Sequence, residues 1–204
     1  MRIEHTDDGG IVVHDRYPPG TVFLKTKTKS ARRLAALRVH ESALRRCKET
    51  FDVINGVSLD DHVSTMTIIG IATLYFRCFT SGRSQLNPAN IFKGRPDILE
   101  CHEWWETVRN QYIAHSGGRG VHSVTAYAVI NGKFLEVFST LVDLLPTNQP
   151  EAYQLLFQLI DFVQQKLNEI IENTVRKIED EYAVLSSEER AALVPLSVIS
   201  DSDW

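Results

Sequence analysis

From Pro150 to about Leu185, the residues Leu156, Ile160, Val163, Leu167, Ile170, Ile171, Ile178 and Tyr182 recur at three- and four-residue steps. That is the period of one helix face, so the segment reads as a single long helix opened by Thr147 or Asn148. At ~1.5 Å per residue it reaches ~50 Å, more than a small bundle requires. Its end, with Glu172, Arg176, Lys177, Glu179 and Glu181, is expected to project or to pair with another subunit. A helix with one apolar stripe must lay that stripe on other elements, and here the other elements are helices too.

Ser30 reads as an N-cap. A helix follows to about Ile54, with Leu34, Leu37, Leu44, Cys47, Phe51 and Ile54 in helical register before Asn55-Gly56 stops it. Ser58 caps the next helix, with Asp60 and Asp61 at its positive end. Residues 66–79 are apolar almost all round, which suits the centre of a bundle. Residues 86–93 form a loop with one helical turn. After Arg95-Pro96-Asp97 a helix runs to His115, with Leu99, His102, Trp104 or Trp105, Val108, Tyr112 and His115 on one stripe, and Ser116-Gly117-Gly118 ends it. Ser186-Ser187-Glu188-Glu189 restarts a short helix before a polar tail.

Between these helices the period changes. Val124, Ala126, Ala128 and Ile130 alternate with Thr125, Tyr127 and Val129, then comes Asn131-Gly132, then Lys133 to Phe138. This is a hairpin signature. The hairpin is expected to pack on the bundle, because a lone hairpin is marginal in water. Before Ser30, Gly9-Gly10 and Pro18-Pro19-Gly20 punctuate an irregular segment in which residues 11–13 and 21–24 are candidate short strands. The expected fold is mainly α: an up-and-down helical bundle with a small β-hairpin insertion between the helix ending at His115 and the long C-terminal helix. The expected organisation is an irregular arm over 1–29, the bundle over 30–185, and a short helix and polar tail over 186–204.

The 204 residues carry a net charge of −4, which argues against broad adhesion to nucleic acid but leaves room for a local basic cleft. The basic run from Lys25 to Lys29 with Arg32 and Arg33 is a solvated helix entry or an RNA contact. Cys47, Cys78 and Cys101 are odd in number and form no CxxC pair, which fits a reducing compartment. Residues 1–10 carry Glu4, Asp7 and Asp8 without an apolar core, so no signal peptide is expected. No apolar run reaches the ~20 residues that a membrane span needs. A soluble cytoplasmic protein is expected.

One constellation carries chemistry. Arg109, Asn110 and His115 lie in Val-Arg-Asn-Gln-Tyr-Ile-Ala-His at a helix end. A fixed cation, an amide and an imidazole match what metal-free RNA cleavage needs: charge stabilisation on the phosphorane and proton transfer near neutral pH. On an ideal helix Arg109 and His115 point ~120° apart. The spacing therefore favours a composite site in a dimer cleft, one subunit's arginine near the other's histidine. The competing structural roles are a capping His115 and an Arg109 ion pair with Glu103 or Glu106. Arg77 reads as a buried arginine paired with Glu100 or Glu103, or as a phosphate contact. Trp104 and Tyr112 offer base stacking or core packing. Gly117-Gly118-Arg119-Gly120 is a connector, a lid or a phosphate-contacting loop. A metal site is weakly suggested, since Cys101-His-Glu-Trp-Trp-Glu106 lacks a second histidine and only His102 and Glu106 stand one turn apart. No P-loop or GxGxxG is present, and Ser116, His122 and Asp143 are too scattered for a hydrolase triad.

Arg109-Asn110 followed by His115 resembles the R-x(4–6)-H signature of HEPN domains, with a gap of five residues and a polar residue after the arginine. The tryptophan-rich approach, Ile-Ala-His-Ser, and the upstream segment from Arg77 to Arg83 are similar as well, so the resemblance covers roughly residues 31–181. It implies a metal-independent endoribonuclease of the toxin or phage-defence type. In such an enzyme the ribose 2′-hydroxyl attacks the adjacent phosphate and leaves a cyclic phosphate end. His115 would exchange the proton, Arg109 would stabilise the phosphorane and Asn110 would orient either of them. Arg77, Arg83, Tyr112 and Arg119 are the expected substrate contacts. The implied partners are RNA, a second copy, and an antitoxin or defence-system protein, with no cofactor, no metal and no membrane. Other members are inactive dimeric or binding modules, so the alternative is a non-catalytic module for RNA, a nucleotide or a protein. Two departures stand out. Gly117 occupies the position where some of these toxins carry a modified tyrosine, and the hairpin is absent from the minimal bundle.

Overall fold

The computed structural model describes residues 2–5, 11–14, 24, 26–55, 61–80, 85–112, 121–143 and 150–193; for residues 2–5, 11–14, 55, 61, 62, 65, 111–112, 121–127, 138–143 and 150 only the backbone is described. In chain order the elements are β1 (Arg2–His5), β2 (Ile11–His14), α1 (Lys29–Asn55), α2 (Asp61–Phe76), α3 (Pro88–Ile91), α4 (Pro96–Tyr112), β3 (Val121–Ile130), β4 (Lys133–Asp143), α5 (Pro150–Ala183) and α6 (Ser187–Ala191). The protein is mainly helical, with small two-stranded antiparallel sheets. No helix among the described residues is long and apolar enough to cross a membrane.

The chain divides into two compact units, one of residues 36–171 and one of residues 1–35 with 172–204. In the first unit, α1 contributes Leu37, Leu44, Cys47 and Phe51 to the core, α2 contributes Ile68, Ile71, Ala72, Tyr75 and Phe76, and α5 contributes Leu156, Leu159, Ile160, Val163 and Leu167. The α1 residues and Leu156, Ile160, Val163 and Leu167 of α5 are positions the helical period marked, because each helix can bury only the stripe that its 3.6-residue repeat aligns; Leu159 and the buried side of the uniformly apolar α2 were not marked, and Tyr182, which was, is exposed. Aromatic edges join the layers: Phe51 meets Phe157 edge-on at 5.5 Å, and Phe92 stacks on both Phe79 and Phe162 at 6.0 Å. At the half-exposed rim Lys48 Nζ meets Asp161 Oδ1 at 2.6 Å. Cys47 and Cys78 are buried thiols, both pushed up to about 12 by desolvation.

Element junctions follow local chemistry. Asn87 caps α3 by accepting the Ala89 N–H at 2.9 Å. Gly94 takes φ +78°, the left-handed backbone that lets the chain turn into α4. Pro96 then opens α4, where a missing N–H costs nothing. The short α3 stands where a loop with one helical turn was expected.

In the other unit β1 pairs with β2, Arg2 opposite His14. Residues 11–13 are thus strand as anticipated, and the partner over Arg2–His5 was not anticipated. Of the second candidate strand, 21–23 lie outside the described residues. Ser30 is not the N-cap of α1. Thr28 takes that role, its hydroxyl accepting the Ala31 N–H at 3.1 Å, while Ser30 sits inside the helix and donates to Glu181 Oε1 at 2.6 Å. That bond holds the Glu181 carboxyl below its usual range. Ser186 and Glu189 form the reciprocal capping box of α6.

The hairpin register runs from Val121 opposite Asp143 to Ile130 opposite Lys133, with a bulge at Ala128/Val129. Asn131 and Gly132 both have positive φ, 50° and 75°, as a two-residue type I′ turn requires. The expectation that this hairpin packs on the bundle fails at its tip. Every side chain from residue 129 to residue 137 is exposed, and Val129, Ile130, Phe134, Leu135 and Val137 each leave more than half of their surface open. The alternation that predicts strands does not say which face is covered, and at the tip neither is.

Candidate functional site

Arg109 occupies the last turn of α4, where the helix dipole favours a cation. Two turns earlier on the same face lies His102. The face packs on the end of α2, and the contact is almost wholly aromatic. The His102 ring lies 4.6 Å from Phe79, 4.9 Å from Phe92, 5.1 Å from Phe76 and 5.7 Å from Tyr75, centroid to centroid. Its Nδ1 shares a 2.8 Å hydrogen bond with the Tyr75 hydroxyl. Burial, reinforced by the Arg109 charge, holds His102 down to about 4, so it is neutral at physiological pH. Burial likewise drives the Tyr75 hydroxyl well above its ordinary range. His102 is therefore a satisfied core group. Glu106, one turn along, is exposed, and no cluster of three or more metal-ligating side chains exists among the described residues.

Arg109 is half-buried. Its guanidinium carbon lies 4.9 Å above the centre of the Phe76 ring. Its Nε donates to Asn110 Oδ1 at 3.0 Å, and Nη2 donates to the same oxygen. Neither contact carries negative charge. The ion pair with Glu103 or Glu106 is not formed: among the described residues no carboxylate pairs with Arg109, and both glutamates are exposed. The result is an oriented cation with no carboxylate partner among the described residues. Because the Nε–Nη2 edge faces Asn110, the Nη1–Nη2 edge is the one left to meet an anion. The Asn110 amide nitrogen adds another donor beside it.

The other sequence candidates scatter. Arg77 is exposed, not buried, just past the end of α2, and forms no ion pair with Glu100 or Glu103. Trp104 and Trp105 divide their roles: Trp105 is core at 3% exposure and Trp104 is 42% exposed. Arg83, His115 and Arg119 lie outside the described residues, as does the Tyr112 side chain. The structure thus brings Arg109 and Asn110 together and adds Phe76, which sequence reasoning missed. Its signal was faint. Phe76 reads as one more apolar residue in an apolar helix, and only the α2–α4 contact sets its ring beneath the arginine. No family model matches the chain, nor does any curated protein or solved structure.

Proposed function

We propose that this chain is a metal-independent endoribonuclease of HEPN type, acting as a toxin or phage-defence component, in which the ribose 2′-hydroxyl attacks the adjacent phosphate, displaces the 5′-oxygen of the next nucleotide and leaves a cyclic phosphate end. The observation that carries the reading is Arg109, without a carboxylate partner among the described residues and held at the end of α4 by an aromatic face and a neutral amide. A structural arginine is ordinarily satisfied by a carboxylate, whereas an arginine kept charged and aimed is suited to an anion that arrives from solution. Arg109 stabilises the charge gathered on the phosphorane oxygens, Asn110 orients Arg109, and His115 transfers the proton. A second copy of the chain supplies the facing half of the cleft, since Arg109 and His115 diverge by ~120° on one helix.

The test is incubation of purified protein with structured and unstructured RNA in EDTA. Cyclic-phosphate ends are expected from the wild type, with a loss of at least ~100-fold in rate for Arg109→Ala and for His115→Ala. RNA left intact by the wild type ends the nuclease reading, and RNA bound but uncut makes the chain a non-catalytic RNA module.

A further inference from the structure

We propose that Phe76 is the positioning residue of the Arg109 site, its ring face acting as the platform that fixes the guanidinium. The inference rests on the ribonuclease reading for its kinetic consequence and on geometry alone for the platform itself. Three observations carry it. The Arg109 guanidinium lies over the ring within cation–π range. The ring cannot move away, because Phe76 is 1% exposed and is braced edge-on by Tyr75 at 4.8 Å and by the tilted His102 ring at 5.1 Å. And the rest of the guanidinium's described contacts fall on a single oxygen of an exposed neighbour, Asn110, which fixes rotation in the plane but does not hold the plane. Phe76 supplies what Asn110 does not.

The chemistry explains why an aromatic serves here better than an acid. A carboxylate would hold Arg109 more tightly but would neutralise the charge that an incoming phosphodiester needs. The ring quadrupole holds the cation and leaves its formal charge whole. The buried His102 contributes by staying neutral, so that no second cation competes for the same ring. Tyr75 fixes His102, His102 and Tyr75 fix Phe76, and Phe76 fixes Arg109.

The experiment replaces Phe76 by mono-, di- and trifluorophenylalanine, which drain the ring quadrupole with little change in volume, and compares these with Phe76→Leu. Two readouts are taken on each folded protein: the nitrogen-15 signal of Arg109 Nε–H, and cleavage of a short RNA. The Arg109 signal is expected to be slowly exchanging in the wild type and progressively faster with each fluorine. The kcat is expected to fall about five-fold across the series, with KM nearly constant. Trp or Tyr at this position should retain the slow signal where they fold. An Arg109 signal indifferent to fluorination overturns the platform, whether or not the protein cleaves RNA. A fluorine-sensitive signal in a protein that leaves RNA intact supports the platform and rejects the nuclease reading.

Discussion

Two apolar stretches of similar composition meet opposite fates in this molecule. At the end of α2, Tyr75, Phe76 and Phe79 are almost completely buried; at the tip of the β3–β4 hairpin, Val129, Ile130, Phe134, Leu135 and Val137 stand open. The difference lies in what each stretch can reach. The α2 residues fall between α1, α4 and the segment around α3, and their backbone is satisfied within the helix. The hairpin closes its hydrogen bonds on itself through the turn at Asn131-Gly132, so pairing is complete before either face is covered. Hydrophobicity selects the element, and neighbours decide its burial.

The sharpest way to break this contrast is to truncate each region. His102→Ala should cost about 3 kcal/mol in urea unfolding, because it opens a cavity among four rings and orphans the Tyr75 hydroxyl. A cost under ~1 kcal/mol would mean that the aromatic cluster is loosely packed.

Acid should act on the same region next. His102 is lowered from 6.5 to about 4 in the folded chain, so the unfolded chain binds its proton first as pH falls. Stability from this group is complete above pH 6.5 and drains away towards pH 4, by up to about 3 kcal/mol. The depressed carboxyls Asp97, Glu181 and Glu189 lose their contributions only lower, as pH falls through their own ranges. Unfolding compared between wild type and His102→Gln over pH 7 to 5 therefore reads this imidazole by difference: the variant should flatten the slope, and an unchanged slope would reassign it.

The smallest effect belongs to the hairpin. Ile130→Ser and Leu135→Ser should each change stability by less than ~0.5 kcal/mol, since the side chains are already in water. A loss above ~1.5 kcal/mol from either would show that the tip is covered in solution.

The helices α1, α2, α4 and α5 were legible because their buried positions repeat with the period of the backbone itself, and the hairpin was legible because Asn-Gly specifies its own turn. Arg109 and Asn110 were legible because they are adjacent. Three things were not. The N-cap of α1 is Thr28, whereas Ser30 lies inside the helix and bonds Glu181, a partner 151 residues along the chain. Arg77 was read as buried from the apolar residues around it, yet it follows the last helical residue of α2 and faces solvent. Trp104 and Trp105 could not be told apart while the helix phase was undecided.

The amino-acid sequence by itself determined which segments are helix and strand and that a cation and an amide share one helix end, because periodicity, capping and adjacency act over a few residues. Only the tertiary structure decided that the cation rests on Phe76, that His102 is a neutral core group and that the hairpin tip is bare. Those outcomes depend on contacts between segments distant in the chain, which local spacing does not encode.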